Sequence, residues 1–300
     1  MREYHVKIFA PAKINLHLEI LGKRNDGFHN IISLFQLISL SDRIELKVRS
    51  DDRIHLMGNT GIPREDNLVF RAIRKFQMAS GIFFGVDVEV HKEIPVGAGL
   101  GGGSSDAAAT LLSLNELVRY GYGMELEKSI LEQIALELGS DVPFFLNGCA
   151  ALVKGRGETV IPVEPVVGYE VLVVFPGIEI NTKEAYQWLD NVSESNGGNR
   201  EKLDENRLIE LYRDGPDSWQ FFNSFTEVVG DRYPVLDRIV RFLYDAGASY
   251  SNLSGTGGVV FGIFTEKKIE NKAFCYLKKN YKFVKLCKPL ERKRECVLKL

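Results

Sequence analysis

Apolar and polar positions alternate from the first residues onward. Val6, Ile8 and Phe9, then Ile14, Leu16, Leu18 and Ile20, then residues 31–40 and Ile44-Glu-Leu-Lys-Val48 follow the two-residue period of strands with one buried face. Turn residues in Gly22-Lys-Arg-Asn-Asp-Gly27 separate these runs, so the chain is expected to open as an antiparallel, largely β unit. The period then changes. Asp66-Asn67 can cap a helix over residues 68–78, with Leu68, Ile73 and Phe76 on one side. Val86-Asp-Val-Glu-Val90 reads as a strand running through Lys92-Glu-Ile94 into a glycine-rich loop. That loop opens onto an alanine- and leucine-rich helix over 104–118. Leu126, Ile130, Ile134 and Leu138 mark a second helix over 125–138.

Past Gly139-Ser-Asp-Val-Pro-Phe-Phe145, strand-like runs at 150–154 and 169–175 flank a Pro- and Gly-containing connection, where a domain boundary is expected. Within it, Gly155-Arg-Gly-Glu158 reads as a hairpin turn rather than a site. Residues 190–201 read as a mobile polar loop. Beyond them, helices over 219–229 and 235–246 alternate with strands over 259–264 and 283–286. No internal repeat appears. The pattern predicts an α+β protein in two halves, 1–160 and 161–300.

Three hundred residues suffice for two cores, and 45% apolar with 26% charged residues is ordinary for a folded soluble protein. The net charge of −2 with scattered Lys and Arg excludes a broad nucleic-acid footprint, so anions must be held locally. Cys149, Cys275, Cys287 and Cys296 show no paired spacing, and His5, His17, His29, His55 and His91 are dispersed. Neither a disulfide framework nor a structural zinc site is expected. The N-terminus lacks a signal-peptide core, and the longest apolar stretch, 166–175, falls short of the roughly 20 residues a membrane span needs. The reading is a cytoplasmic protein, monomeric or homodimeric, with no membrane or nucleic-acid partner.

The chemistry concentrates in the loop. Five glycines in the seven positions 97–103 allow backbone N–H groups to approach an anion, and the helix that follows aims its first-turn amides and dipole at the same place. Pro95, Val96, Gly97, Ala98, Gly99, Leu100, Gly101, Gly102, Gly103, Ser104 and Ser105 are therefore the candidate phosphate cradle. Gly97-x-Gly99-x-x-Gly102 matches the dinucleotide fingerprint, but the next element is a helix rather than the strand a Rossmann unit requires. No Lys-Ser or Lys-Thr follows the glycines as a Walker loop demands, and the H-R-D and D-F-G elements of protein kinases are missing. A flexible turn before a helix remains the bland reading.

Pro95-x-Gly-x-Gly-Leu-Gly-Gly-Gly-Ser-Ser-Asp-Ala-Ala107 resembles the second motif of the GHMP kinases. Pro11-Ala-Lys-Ile-Asn-Leu16 is similar to their first motif and Leu253-Ser-Gly-Thr-Gly-Gly-Val-Val-Phe261 to their third, in the right order over most of the chain. The resemblance implies an N-terminal ribosomal S5-like, ATP-binding domain and a C-terminal ferredoxin-like, substrate-binding domain, with the active site in the cleft between them. It implies ATP as phosphoryl donor and Mg2+ as its counter-ion, although no acidic cluster identifies a protein ligand for the metal. Asn67 and Leu68 match positions near the adenine pocket. Asp141 matches the catalytic aspartate, a carboxylate that can orient and deprotonate a hydroxyl. Lys13 matches the catalytic lysine, and Asn15, on the same strand face, a substrate-holding residue.

Together with Gly27-Phe-His29 and Gly139-Ser-Asp-Val-Pro143, these motifs resemble the members that phosphorylate a methylerythritol alcohol bearing cytidine diphosphate. Phe28 stands where those members usually have tyrosine, a change that preserves stacking but supplies no phenolic hydroxyl. His29 would read the base edge, Tyr186 would lie across the base, and Gly255, Thr256 and Gly257 would close on the site. Taken singly, Lys13 is a strand lysine, Asp141 a turn residue, His29 a turn histidine and Tyr186 a helix-face aromatic. The alternatives are a homoserine- or mevalonate-type kinase, or a non-catalytic ligand sensor on the same fold.

Overall fold

The strand period of the first 49 residues produces two long strands, β1 (His5–Lys23) and β2 (His29–Arg49), paired antiparallel around a turn over 24–28. The computed structural model describes residues 5–49, 51–58, 62–195, 204–292 and 297–299. Burial along β1 changes midway. Residues 5–10 alternate between half-buried and buried, whereas residues 12–19 are all buried. Ala12, Ile14 and Leu16 pack into a core with Val171, Val173, Tyr250 and Phe261 of the second half, while Lys13, Asn15, His17 and Glu19 are buried polar groups. The ladder slips between Pro11 and Ala12, Asn15 and His17, and Ile20 and Gly22. Such bulges bend a strand and re-aim its side chains.

β3 (Ile54–Met57), α1 (Leu68–Ser80), β4 (Gly85–His91), α2 (Gly102–Tyr122), α3 (Lys128–Leu138), α4 (Val142–Asn147), β5 (Ala150–Gly155) and β6 (Thr159–Val163) complete most of the first half. The sheet order is β11-β1-β2-β4-β3, with β11 (Val297–Lys299) arriving from the far end of the chain. β5 pairs with residues 31–36 of β2 and carries β6. A core of sheet residues such as Ile44, Leu46, Val86 and Val88 packs against Ile73 and Phe76 of α1, Leu111 and Leu114 of α2, and Ile134 of α3.

The second half contains β7 (Glu170–Phe175), α5 (Thr182–Ser195), α6 (Glu205–Arg213), α7 (Thr226–Arg232), α8 (Pro234–Asp245), β8 (Tyr250–Leu253), β9 (Val260–Phe264), α9 (Lys267–Asn280) and β10 (Phe283–Cys287). Its antiparallel sheet has the order β10-β7-β9-β8. The α+β architecture in two halves is as the pattern predicts. No helix among the described residues is long and apolar enough to cross a membrane.

Three expectations are corrected. The connection over 155–168 contains a strand, β6, whose alternation is short and half-buried. Residues 190–195 belong to α5 rather than a mobile loop, while residues 196–203 and Cys296 lie outside the described residues. The helix expected over 219–229 begins only at Thr226. Upstream of it the Asn223 side chain accepts from Phe225 N–H, a local bond that competes with helix, and the segment docks on the edge of β1 through Leu18 N–H to Phe222 O and Ser224 N–H to Leu18 O.

Candidate active site

The glycine-rich segment leaves β4 and folds into a cradle because several of its residues adopt backbone conformations that other residues resist. Gly97, Gly99 and Gly101 have φ of +69°, +82° and +70°. Close approach matters as much. A Cβ at Gly99 would stand 2.2 Å from the Ser254 carbonyl oxygen, and one at Gly101 would stand 2.8 Å from the Phe145 ring and 3.1 Å from Lys13 Cγ. The loop is thus pressed between the third glycine segment and the strand carrying Lys13. Gly101 precedes α2, whose first-turn amides find no partner within their own helix. Pro95 to Ser104, Asn67 and Leu68 line one cavity of about 300 Å3, in the size range of ligand sites. Ser105 stands behind it, 1% exposed, its hydroxyl without a partner among the described residues. Asn67 also caps α1 by accepting from Val69 N–H at 2.9 Å, which commits one lone pair of its side chain to structure.

Three charged groups missed in the sequence support the cradle. Lys92 bridges Asp42 and Asp106, and Asp42 also accepts from the N–H groups of Glu93 and Ile94. Burial pushes the Asp106 carboxyl up to about 7, with Lys92 opposing and the charge of Asp42 adding to the shift. Of the described cavity-lining residues only Asp66 and Asp106 are carboxylates, and one oxygen of Asp106 is already bonded to Lys92. The other oxygen of Asp106, Oδ1, is buried with no hydrogen-bond partner among the described residues.

At the inner end of the cradle Lys13 is almost sealed, its side chain 5% exposed. Its Nζ lies 2.6 Å from Asn15 Oδ1, 3.5 Å from Asp141 Oδ2 and 4.4 Å from the centre of the Phe35 ring. Its backbone N–H donates to Leu100 O, tying the strand to the phosphate loop. Asp141 comes from the turn between α3 and α4 and is a third exposed, so a buried cation faces a carboxylate open to the cleft. The β5–β6 turn packs against the residue before Asp141, since a Cβ at Gly157 would meet Ser140 O at 2.7 Å.

Asn15 is fixed by donating to Ser33 Oγ at 3.0 Å. Ser254 joins the three glycine and strand segments: it donates to Gly99 O at 2.9 Å and accepts from Asn15 N–H at 3.4 Å. Asn223 holds the third segment, donating to Leu253 O at 3.0 Å and Gly255 O at 2.8 Å. Gly255 packs against Gly99, Thr256 lies 3.5 Å from Thr182 through their hydroxyls, and Gly257 packs on Ile180 and Val229. Ser254 stands inside the motif already singled out. Asn223 carried no sequence signal.

The aromatic group gathers at the β1–β2 turn. His29 stacks on Tyr186 of α5, with centroids 4.6 Å apart and planes at 25°, and Tyr186 meets Phe225 edge-on. Burial raises the Tyr186 phenol to about 12 and the charge of Asp141 adds to it, which places this ring beside the catalytic candidates. Phe28 is half exposed, with the Arg156 guanidinium 5.3 Å from its ring centre. The structure thus brings Lys13, Asn15 and Asp141 against the glycine segment and the 254–257 loop and stacks His29 on Tyr186, while Phe28 lies on the exposed β1–β2 turn. A buried cation, a carboxylate open to the cleft, a phosphate-sized cradle and an aromatic pair suit phosphoryl transfer to a hydroxyl.

Known proteins agree. Residues 67–149 match the GHMP kinases N terminal domain and residues 199–282 the GHMP kinases C terminal. A 4-diphosphocytidyl-2-C-methyl-D-erythritol kinase of Thermodesulfovibrio yellowstonii is 42% identical over 267 residues, covering 88% of this chain and 91% of its own. The enzyme of the same name from Thermotoga maritima is 41% identical over 260 residues, covering 86% and 92%. The crystal structure of a 4-(cytidine 5'-diphospho)-2C-methyl-D-erythritol kinase superposes with a TM-score of 0.80 at 30% identity, over 94% of this chain and 98% of that one. A homoserine kinase from Cytophaga hutchinsonii shares the fold at 19% identity, with a TM-score of 0.71 over 98% and 97% of the two chains. The chain belongs to the GHMP kinases and, within them, to the family of 4-diphosphocytidyl-2-C-methyl-D-erythritol kinases.

Proposed function

We propose that this small-molecule kinase transfers the terminal phosphoryl group of ATP to the 2-hydroxyl of 4-diphosphocytidyl-2-C-methyl-D-erythritol, in the non-mevalonate route to isoprenoid precursors. The observation that carries the mechanism is the Lys13–Asp141 ion pair at the inner end of the glycine cradle. Asp141 orients the acceptor hydroxyl and takes its proton as the oxygen attacks phosphorus. Lys13, held in place by Asn15, Asp141 and the Phe35 ring, stabilises negative charge on the transferring group. Loop amides and the start of α2 hold the remaining phosphates.

Residues 1–160 hold the nucleotide. Residues 161–300 supply Tyr186 and the 255–257 loop, which with Phe28 and His29 close the acceptor pocket around cytidine. Mg2+ would enter with the triphosphate and supply charge neutralisation there; Asp66 and Asp106 are the carboxylates of the cavity lining that could face it. The cluster of potential metal ligands among the described residues, Glu45, Glu89 and His91, is not part of the cavity lining, and Glu45 is already engaged by His5, Lys7 and Arg43.

The test is ADP release with ATP and the cytidine compound, set beside homoserine and mevalonate. Turnover with the cytidine compound alone, reduced at least 100-fold by Asp141→Asn, is expected. Turnover that Asp141→Asn leaves intact overturns the mechanism.

A further inference from the structure

His29 is expected to read the base, but an imidazole edge has no fixed meaning until its proton is placed. One ring nitrogen of a neutral histidine donates and the other accepts. Here the placement is made by a residue on another element. Asp190, in the third turn of α5, lies with Oδ1 at 2.8 Å from His29 Nε2, and its Oδ2 accepts from Lys23 Nζ at 2.9 Å. Although partial burial opposes it, hydrogen bonds from Lys23 and His29 hold the Asp190 carboxyl below its ordinary range, so it is ionised and can only accept. The stack on Tyr186 fixes the plane of the ring, and His29 Nδ1 has no partner among the described residues.

We propose that Asp190 is a specificity-determining residue: by holding the proton of His29 on Nε2 it leaves Nδ1 as an acceptor, which suits a base with an exocyclic amino group and rejects one with a carbonyl there. Cytosine presents the amino group and uracil the carbonyl. Opposing an acceptor with an acceptor leaves two desolvated oxygen or nitrogen lone pairs unpaired, the kind of mismatch that discriminates most strongly. Asp190 acts through His29 and is a positioning residue. Lys23, exposed and on the far side of the carboxylate, serves as its counter-charge.

This inference rests on the cytidine reading above, and its test separates the two. Binding of cytidine 5'-diphosphate and uridine 5'-diphosphate to the intact chain is measured by calorimetry, and the His29 tautomer is read at pH 8 by nitrogen-15 NMR. The wild type is expected to favour the cytidine nucleotide by about tenfold or more and to show Nε2–H with Nδ1 unprotonated. Asp190→Asn can donate to Nε2 instead, so the Nδ1–H tautomer appears and the preference falls to about threefold or less. Lys23→Met, which leaves the Asp190–His29 bond in place, keeps the wild-type preference.

A wild-type ring protonated on Nδ1, or on both nitrogens, overturns the proposal, as does an Asp190→Asn variant with unchanged tautomer or unchanged preference. A wild type that binds neither nucleotide refutes the cytidine reading, and with it the specificity role. The NMR comparison then decides only the narrower claim that Asp190 sets the tautomer.

Discussion

Replacing Gly99 with alanine tests the geometry of the cradle more sharply than removing a charged group would. The substitution adds one methyl group at a position with φ of +82°, a conformation that costs a non-glycine residue about 1 kcal/mol. The larger effect is steric. The new Cβ would lie 2.2 Å from Ser254 O and 3.0 Å from Gly257 O, both backbone atoms that no rotamer change can move. To restore ordinary contact, the phosphate loop and the third glycine segment must part by about 1 Å, and a misplacement of that size at a reacting centre costs about 100-fold in rate. In steady-state ADP release, Gly99→Ala should therefore show kcat reduced about 100-fold. Gly103→Ala is the control for the fold, since its Cβ meets only Leu68 Cδ1 at 3.8 Å and its φ lies outside the left-handed range. That variant should melt with the wild type, any loss appearing in KM for ATP. A Gly99→Ala enzyme within threefold of wild-type kcat would refute the claim that the two glycine segments are in register to within an ångström.

Asn223→Asp keeps the acceptor for Phe225 N–H but turns two donations, to Leu253 O and Gly255 O, into repulsions. A loss of about 3 kcal/mol in stability is expected, with kcat falling as the 254–258 segment shifts, whereas Thr226→Val, which removes only the bond to Asn252, should lower the melting temperature and spare kcat. Equal kcat in both variants would count against a positioning role for Asn223. Asp106→Asn probes the buried triad. Because the folded carboxyl is held near 7 rather than near its ordinary value of about 4, the folded state binds its proton more tightly, and carrying the ionised group costs stability increasingly as pH rises through that window. The melting-temperature difference between Asp106→Asn and wild type should grow in favour of the variant from pH 5 to pH 8, and a flat difference would contradict the assignment.

The glycine cradle was legible from its own residues, glycines before a helix, whereas Lys13, Asn15 and Asp141, ordinary residues when taken singly, were legible only through the resemblance of their motifs to the GHMP kinases. What escaped was supplied by tertiary contact. Asn223 joins β1 to a loop 30 residues away, and Asp190 reaches His29 across 161 positions; neither spacing leaves a local trace. The segment over 219–225 misled for the same reason, since docking on the edge of β1 overrode an apparent helical pattern. The short, half-exposed strand β6 and the predominantly polar helices α5, α6 and α9 lack the apolar runs from which the other elements were read. The long β1–β2 pair, by contrast, was plain from alternation alone.

That pair also behaves as a ruler. Asn15 stands opposite Phe35, and His29 lies six residues further along the same strand, about 20 Å of extended chain before bulges and twist shorten it. Asn15, which bonds the Lys13 ammonium beside Asp141, and His29, proposed to read the base, are thus mounted on one continuous hydrogen-bonded ribbon, and their separation is set by residue count. An acceptor too short to span the interval can engage one mark or the other but not both. Removing a facing pair of residues from each strand would preserve every inward and outward side chain while shortening the gauge by about 7 Å. On the proposed function, the register of this hairpin would set the length of substrate that Asn15 and His29 can both reach.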